Sequence, residues 1–319
     1  MTPASLAGFA LVFLVSAWTL SATAALVLAR AGARLERLGP LVERRAAEAA
    51  AIVPIVLAGL VVMVLVLQSL LGADHCEAHA HHAHLCLVHG AAWTHRTWVV
   101  VVLAVAGAAV LARLALVLAS VLRGARSLRA LHAISREAGA VRLVESERAF
   151  GFVSGHRPAT IYVSTRAWTG LSVAEQRALI AHELAHVRHG DLRMRGVLEA
   201  CLVLAAPLVG DPIRARWLLA SERLCDAHAA EVTGDPASVA SALVALCRLE
   251  TTRLVAALGF TPTAADLAHR VRAVLAGRPL GVRPARLLGR SVLAVSVLLG
   301  GAAVLAAETL HHAFETLLG

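Results

Sequence analysis

The chain has 319 residues, 58% of them hydrophobic, with a formal net charge of +9 and a mean hydropathy of +0.72. That apolar balance excludes an ordinary soluble domain and points to a membrane protein. The positive charge does not argue for nucleic acid, because all 30 basic residues are arginines set in loops and at the ends of apolar runs. Aromatic residues make up only 4%, so the interleaved basic and aromatic surface of a nucleic-acid binder is missing.

Residues 1–29 carry no charged side chain, and about 20 apolar residues suffice to cross a bilayer core. A transmembrane helix is predicted over 5–29. A cleaved signal peptide would want a basic segment ahead of this run, and none precedes it. A second span is predicted over 50–72, where Pro54 is tolerable in a membrane helix. A third covers 97–120, interrupted by Arg113, which can snorkel if it lies near an interface. A fourth candidate runs from Leu287 to Ala307, with Arg290 near its start.

Arg30, Arg34, Arg37, Arg44 and Arg45 lie between the first two spans, whereas Arg96 stands alone between the second and third. The positive-inside rule places residues 30–48 and 123–286 in the cytoplasm and residues 74–95 outside. The expectation is a multi-pass protein of the cell membrane, with the lipid bilayer as a partner. It has three parts: a membrane region over 1–122, a cytoplasmic domain over 123–286, and a last span with a short tail over 287–319.

The external loop 74–95 holds His75, His79, His81, His82, His84, His89 and His95, with Cys76 and Cys86. Such a tract is metal-binding by composition. Cys76 and Cys86 can instead pair as a disulfide on an oxidising side, and a solvated polar loop is a third reading.

Beyond the third span, 141–144, 149–153 and 160–163 are short β-type runs separated by polar or Gly/Pro breaks. They predict a small antiparallel sheet, one strand of which can take extended substrate along its edge. Ser172 with Glu175 three residues later is a capping box. It opens a helix ending near Gly190 that carries His182-Glu183-Leu184-Ala185-His186. Histidines at i and i+4 share a helix face, so His182 and His186 can converge on one Zn²⁺ ion. Glu183 is placed to act as the catalytic base that takes a proton from the attacking water.

Downstream, Glu222 and Asp226 stand four residues apart on one predicted helix face. Glu222 supplies a third zinc ligand, and Asp226 a carboxylate that fixes the tautomer of a ligand histidine. The apolar stretch 197–209 between the two halves of the site cannot cross the membrane once, since Glu222 would then face the wrong side. Two crossings need about 40 apolar residues, and only 36 positions separate His186 from Glu222. A buried or interfacial helix is predicted. Asp235-Pro236 opens another helix. A donor for the oxyanion is expected, with His228, His269 and Arg270 as candidates. Cys225 is expected to pack its helix rather than bind metal.

Residues 157–164, the segment 171–176, the zinc helix closing on His189-Gly190-Asp191, and Glu222-Arg223-Leu224-Cys225-Asp226-Ala227 resemble the BlaR/MecR-type membrane zinc metallopeptidases. These are the β-lactam sensor/signal transducers, within the gluzincin group. The resemblance covers roughly residues 140–275 and implies Zn²⁺, endopeptidase activity and a cytoplasm-facing site. No separate sensor domain is expected after the last span, unlike the β-lactam receptors. The CAAX-processing and heat-shock membrane proteases share the H-E-x-x-H and the later Glu, but the resemblance associates them with a longer insertion.

The expected fold is mainly α: a polytopic membrane protein with a gluzincin-like α+β metallopeptidase domain. Three functions follow as readings. The first is a regulatory protease acting on a protein or peptide substrate such as a transcriptional repressor. The second is a quality-control protease, and the third a non-enzymatic metal sensor working through the His-rich loop.

Overall fold

The computed structural model describes residues 3–70, 96–155, 158–249, 264–277 and 280–305. The loop 74–95, with its histidines, Cys76 and Cys86, lies outside the described residues.

Uncharged runs become helix because, without water, each backbone N–H must bond within its own segment. Four such helices form: α1 (Pro3–Leu38), α2 (Pro40–Leu70), α3 (Thr97–Ile134) and α10 (Val282–Leu305). All four are long and apolar enough to cross a membrane. The arginines between the first two predicted spans do not lie in a loop. Arg30, Arg34 and Arg37 extend α1, and Arg44 and Arg45 sit near the start of α2. Arginine, leucine, alanine and glutamate are all strong helix formers, so the helices do not stop where the apolar runs do. Gly39 alone separates α1 from α2, at φ 115°, a value that suits glycine. Arg113 of α3 has a protein partner. Its Nη1 donates to the carbonyl of Ala205 at 2.7 Å, at the end of a later helix, α6 (Asp191–Leu204).

The sheet has four strands: β1 (Arg136–Ala138), β2 (Val141–Val144), β3 (Gly151–Ser154) and β4 (Thr160–Ser164), in the order β1-β2-β4-β3. It is mixed rather than antiparallel as expected, because β2 and β4 pair in parallel. Ile161, Tyr162 and Val163 of β4 are all buried. A strand buried on both faces gains most in the middle of a sheet, so β4 inserts between β2 and β3. That leaves β3 at an edge. β1, Arg-Glu-Ala, carries no β-type pattern and goes unforeseen.

The remaining helices are α4 (Thr165–Gly170), α5 (Val173–His189), α7 (Gly210–Thr233), α8 (Pro236–Leu249) and α9 (Ala264–Leu275). The Ser172–Glu175 capping box is present at the start of α5. Gly190 ends α5 in the left-handed region at φ 68°, and α6 starts at the next residue. Helix α6 carries most of the 197–209 stretch. At 14 residues it is about 21 Å long, too short for a bilayer core of about 30 Å. Its Leu198 and Leu202 are buried with Leu28 of α1, Ala47 and Ala51 of α2, and Ile213 and Trp217 of α7. One core therefore joins the membrane helices to α7, which carries Glu222.

Trp217, 2% exposed, is the largest side chain of that core. Trp217→Ala should cost about 3–5 kcal/mol of stability, read as a lowered midpoint of unfolding in detergent. An unchanged midpoint would show that α2 and α7 do not depend on this core.

Candidate metal centre

Helix α5 lies beside β3, close enough that a Cβ on Gly151 would come 3.0 Å from Leu179 Cδ1. The helical period then places His182 and His186 toward α7. Their Nε2 atoms are 3.2 Å apart. Glu222 on α7 completes a triangle, with Oε2 3.5 Å from His182 Nε2 and Oε1 3.6 Å from His186 Nε2. Two donors on a tetrahedral zinc, each ~2.0–2.1 Å from the ion, lie roughly 3.3 Å apart. His182, His186 and Glu222 thus fit zinc in both donor type and spacing, and they form the first expected ligand set.

Each histidine is backed on its other ring nitrogen. Asp226 Oδ1 stands 2.9 Å from His182 Nδ1, as the i, i+4 spacing from Glu222 predicts. Asp226 is 1% exposed and is held by Arg270 of α9, whose Nε and Nη2 donate to its two oxygens at 2.7 and 2.8 Å. On the other side, His186 Nδ1 lies 2.6 Å from Asp191 Oδ2, and Arg44 Nη1 reaches Asp191 Oδ1 at 2.6 Å. Sequence reasoning missed both Asp191 and Arg44. A carboxylate just past the glycine that ends the zinc helix is a signal that could have found Asp191. Cys225 is buried beside it, with Sγ 3.3 Å from His186 Nδ1 and 3.7 Å from Asp191 Oδ2. His186, Asp191 and Cys225 also form a compact donor group. Burial and four neighbouring carboxylates push the Cys225 thiol well up, and its Sγ lies on the Nδ1 side of His186, whereas Nε2 faces Glu222.

Electrostatics sort the carboxylates. Burial alone would raise Glu222, but the Arg270 guanidinium, 2.9 Å from its Oε2, and the two histidines hold it well below the usual range. Asp226 is lowered for the same reason. Glu183, 6% exposed, goes the other way: burial raises it, against the histidines and a hydrogen bond from the Val153 backbone. A buried carboxylate with a raised pKa and contact to an edge strand has the character of a general base. Of the expected oxyanion donors, Arg270 contacts the ligand set. His228 faces His189 and Glu231, and His269 faces Glu36 of α1.

Comparison with known proteins adds a family likeness. Residues 124–220 match Peptidase family M48, a segment that contains the zinc helix and ends two residues before Glu222. The chain is 29% identical to proteins named "Protease HtpX homolog" from Burkholderia mallei (strain SAVP1) and Burkholderia pseudomallei (strain 668), covering 32% of this chain and 48% of each relative. The same figures hold for the homolog of Burkholderia thailandensis. The chain spans about half the length of these curated relatives. No solved structure matches. The likeness thus falls in the zinc metallopeptidase class. The 36 positions from His186 to Glu222 are met here by one short helix, α6, and the start of α7.

Zinc takes neutral imidazoles. Burial opposes a charge on His182, but Asp226 and Glu222 outweigh it and raise the pKa to about 10. Near neutral pH, zinc must therefore displace a proton from His182. Affinity should rise with pH up to that value and fall as pH drops, by about tenfold per unit for each proton displaced. Chelator competition across the range tests this, and a flat profile would contradict the assigned protonation.

Proposed function

We propose that this chain is a membrane-bound zinc-dependent endopeptidase that hydrolyses peptide bonds of a protein substrate on the cytoplasmic side. The observation that carries the reading is the convergence of His182, His186 and Glu222, with Glu183 buried beside them. His182, His186 and Glu222 would hold the metal, and bound zinc would supply a Lewis acid to polarise the scissile carbonyl.

The rest is done by the chain. Glu183 takes a proton from the attacking water and returns it to the leaving amine. Asp226 and Asp191 hold the two imidazoles with their Nε2 atoms toward the ligand space. The backbone of Val153 fixes the Glu183 carboxylate to β3, so a substrate strand laid along that edge runs past the base.

One reading is a quality-control protease that acts on many proteins. The sequence resemblance to the sensor/transducer branch supports a dedicated substrate such as a transcriptional repressor. A covalent trap decides between them. The Glu183→Gln variant, cross-linked in cells, should hold either one partner or many membrane and cytoplasmic proteins.

Glu183→Gln should keep zinc and fold while cleavage falls by about two to four orders of magnitude, and Glu222→Ala should lose zinc as well. Comparable turnover by Glu183→Gln would refute the base assignment.

Orientation rests on the arginines of α1 and α2. Cysteines placed at Pro40 and Phe150, in a background without native cysteines, should resist an impermeant reagent in intact cells. Labelling at either position would reverse the assigned side.

A further inference from the structure

Arg44 is 4% exposed, near the start of α2 and well before the uncharged run of that helix. Three of its sides are occupied. Nε donates to Glu48 Oε1 at 2.9 Å, Nη1 lies 2.6 Å from Asp191 Oδ1, and Nη2 donates to the carbonyl of His189 at 3.1 Å. The fourth is the Trp217 ring, whose centroid is 5.6 Å from the guanidinium carbon. Glu48 is itself fixed by Trp217 Nε1 at 3.2 Å.

A planar fork held this way cannot turn without giving up charge-assisted bonds in a buried space. Two of its contacts bear on α5. The His189 carbonyl is one of the acceptors left open at the end of that helix, where a cation is favoured. Asp191 uses its other oxygen for His186 Nδ1. The arrangement Arg44–Asp191–His186 matches Arg270–Asp226–His182 across the site. The difference is the element that supplies the arginine: α9 for one, and the membrane helix α2 for the other.

We propose that Arg44 is a positioning residue of the metal centre, acting through Asp191, so that zinc affinity is set in part by how α2 docks on the end of α5. The inference rests on the zinc reading of the site. Glu43, one residue earlier, pairs instead with Arg223 at 2.7 Å and makes the α2–α7 contact without touching Asp191.

The test is zinc affinity of the full chain in detergent, by chelator competition, together with the cobalt absorption spectrum. Arg44→Ala should weaken zinc by about 10- to 100-fold, as loss of a group orienting a ligand does, and shift the cobalt bands. Asp191→Asn should do the same. The double variant should be no weaker than Asp191→Asn alone, because the two act in series. Arg44→Lys should recover part of the loss. Arg113→Ala, which undocks α3 from α6, should leave zinc affinity unchanged.

Additive losses in the double variant, unchanged affinity in Arg44→Ala, or an equal loss in Arg113→Ala would each overturn the inference. Should Arg44→Ala not fold, Arg44→Gln is read the same way. A wild-type chain that binds no zinc would instead overturn the zinc reading, and this inference with it.

Discussion

Four carboxylates, those of Glu183, Asp191, Glu222 and Asp226, crowd around two imidazoles in a space largely closed to water. Like charges so placed repel strongly, and desolvation makes each one costlier still. Arg270 answers Asp226 and Glu222, and Arg44 answers Asp191. Arg44 is shared with the buried Glu48, so the cluster keeps net negative charge, which a divalent cation between neutral histidines would offset. The rest of the fold can be understood as the means of bringing those two arginines to one place.

They come from distant parts of the chain. Arg44 belongs to the second helix and Arg270 to the ninth, and the helices carrying the ligands lie between them in sequence. The apolar cluster of Leu28, Ala47, Leu198, Ile213 and Trp217 holds α1, α2, α6 and α7 together. That cluster continues directly into the salt bridges of Glu43, Arg44 and Glu48. Membrane region and peptidase-like domain are therefore not separable layers with a linker between them.

Signals that lie within one helix are legible in the sequence. The Ser172–Glu175 box, the glycine at 190, the i, i+4 histidines and the Glu222–Asp226 pair all depend on spacing within one helix, which periodicity reveals. The parallel pairing of β2 with β4 was not legible, because it depends on which strand wins the centre of the sheet. Asp191 follows the zinc helix directly in sequence, yet only the turn at Gly190 brings it to His186 Nδ1. Arg44 was hidden more thoroughly: an arginine beside a membrane span has a sufficient explanation in topology, and nothing local distinguishes a buried one. The partners of Arg113, the carbonyls ending α6, are about 90 residues away, beyond the reach of any local pattern.

The edge position of β3 carries one more implication. A strand edge offers backbone N–H and C=O groups, and these can be matched only by a chain whose own are unspent. Polypeptide already committed to helix or sheet has none to give. A peptidase that receives its substrate along β3 would thus sort by conformation before it sorts by side chain. Frayed termini, unpaired helices and damaged proteins would pass, and intact domains would be spared without any need to be recognised.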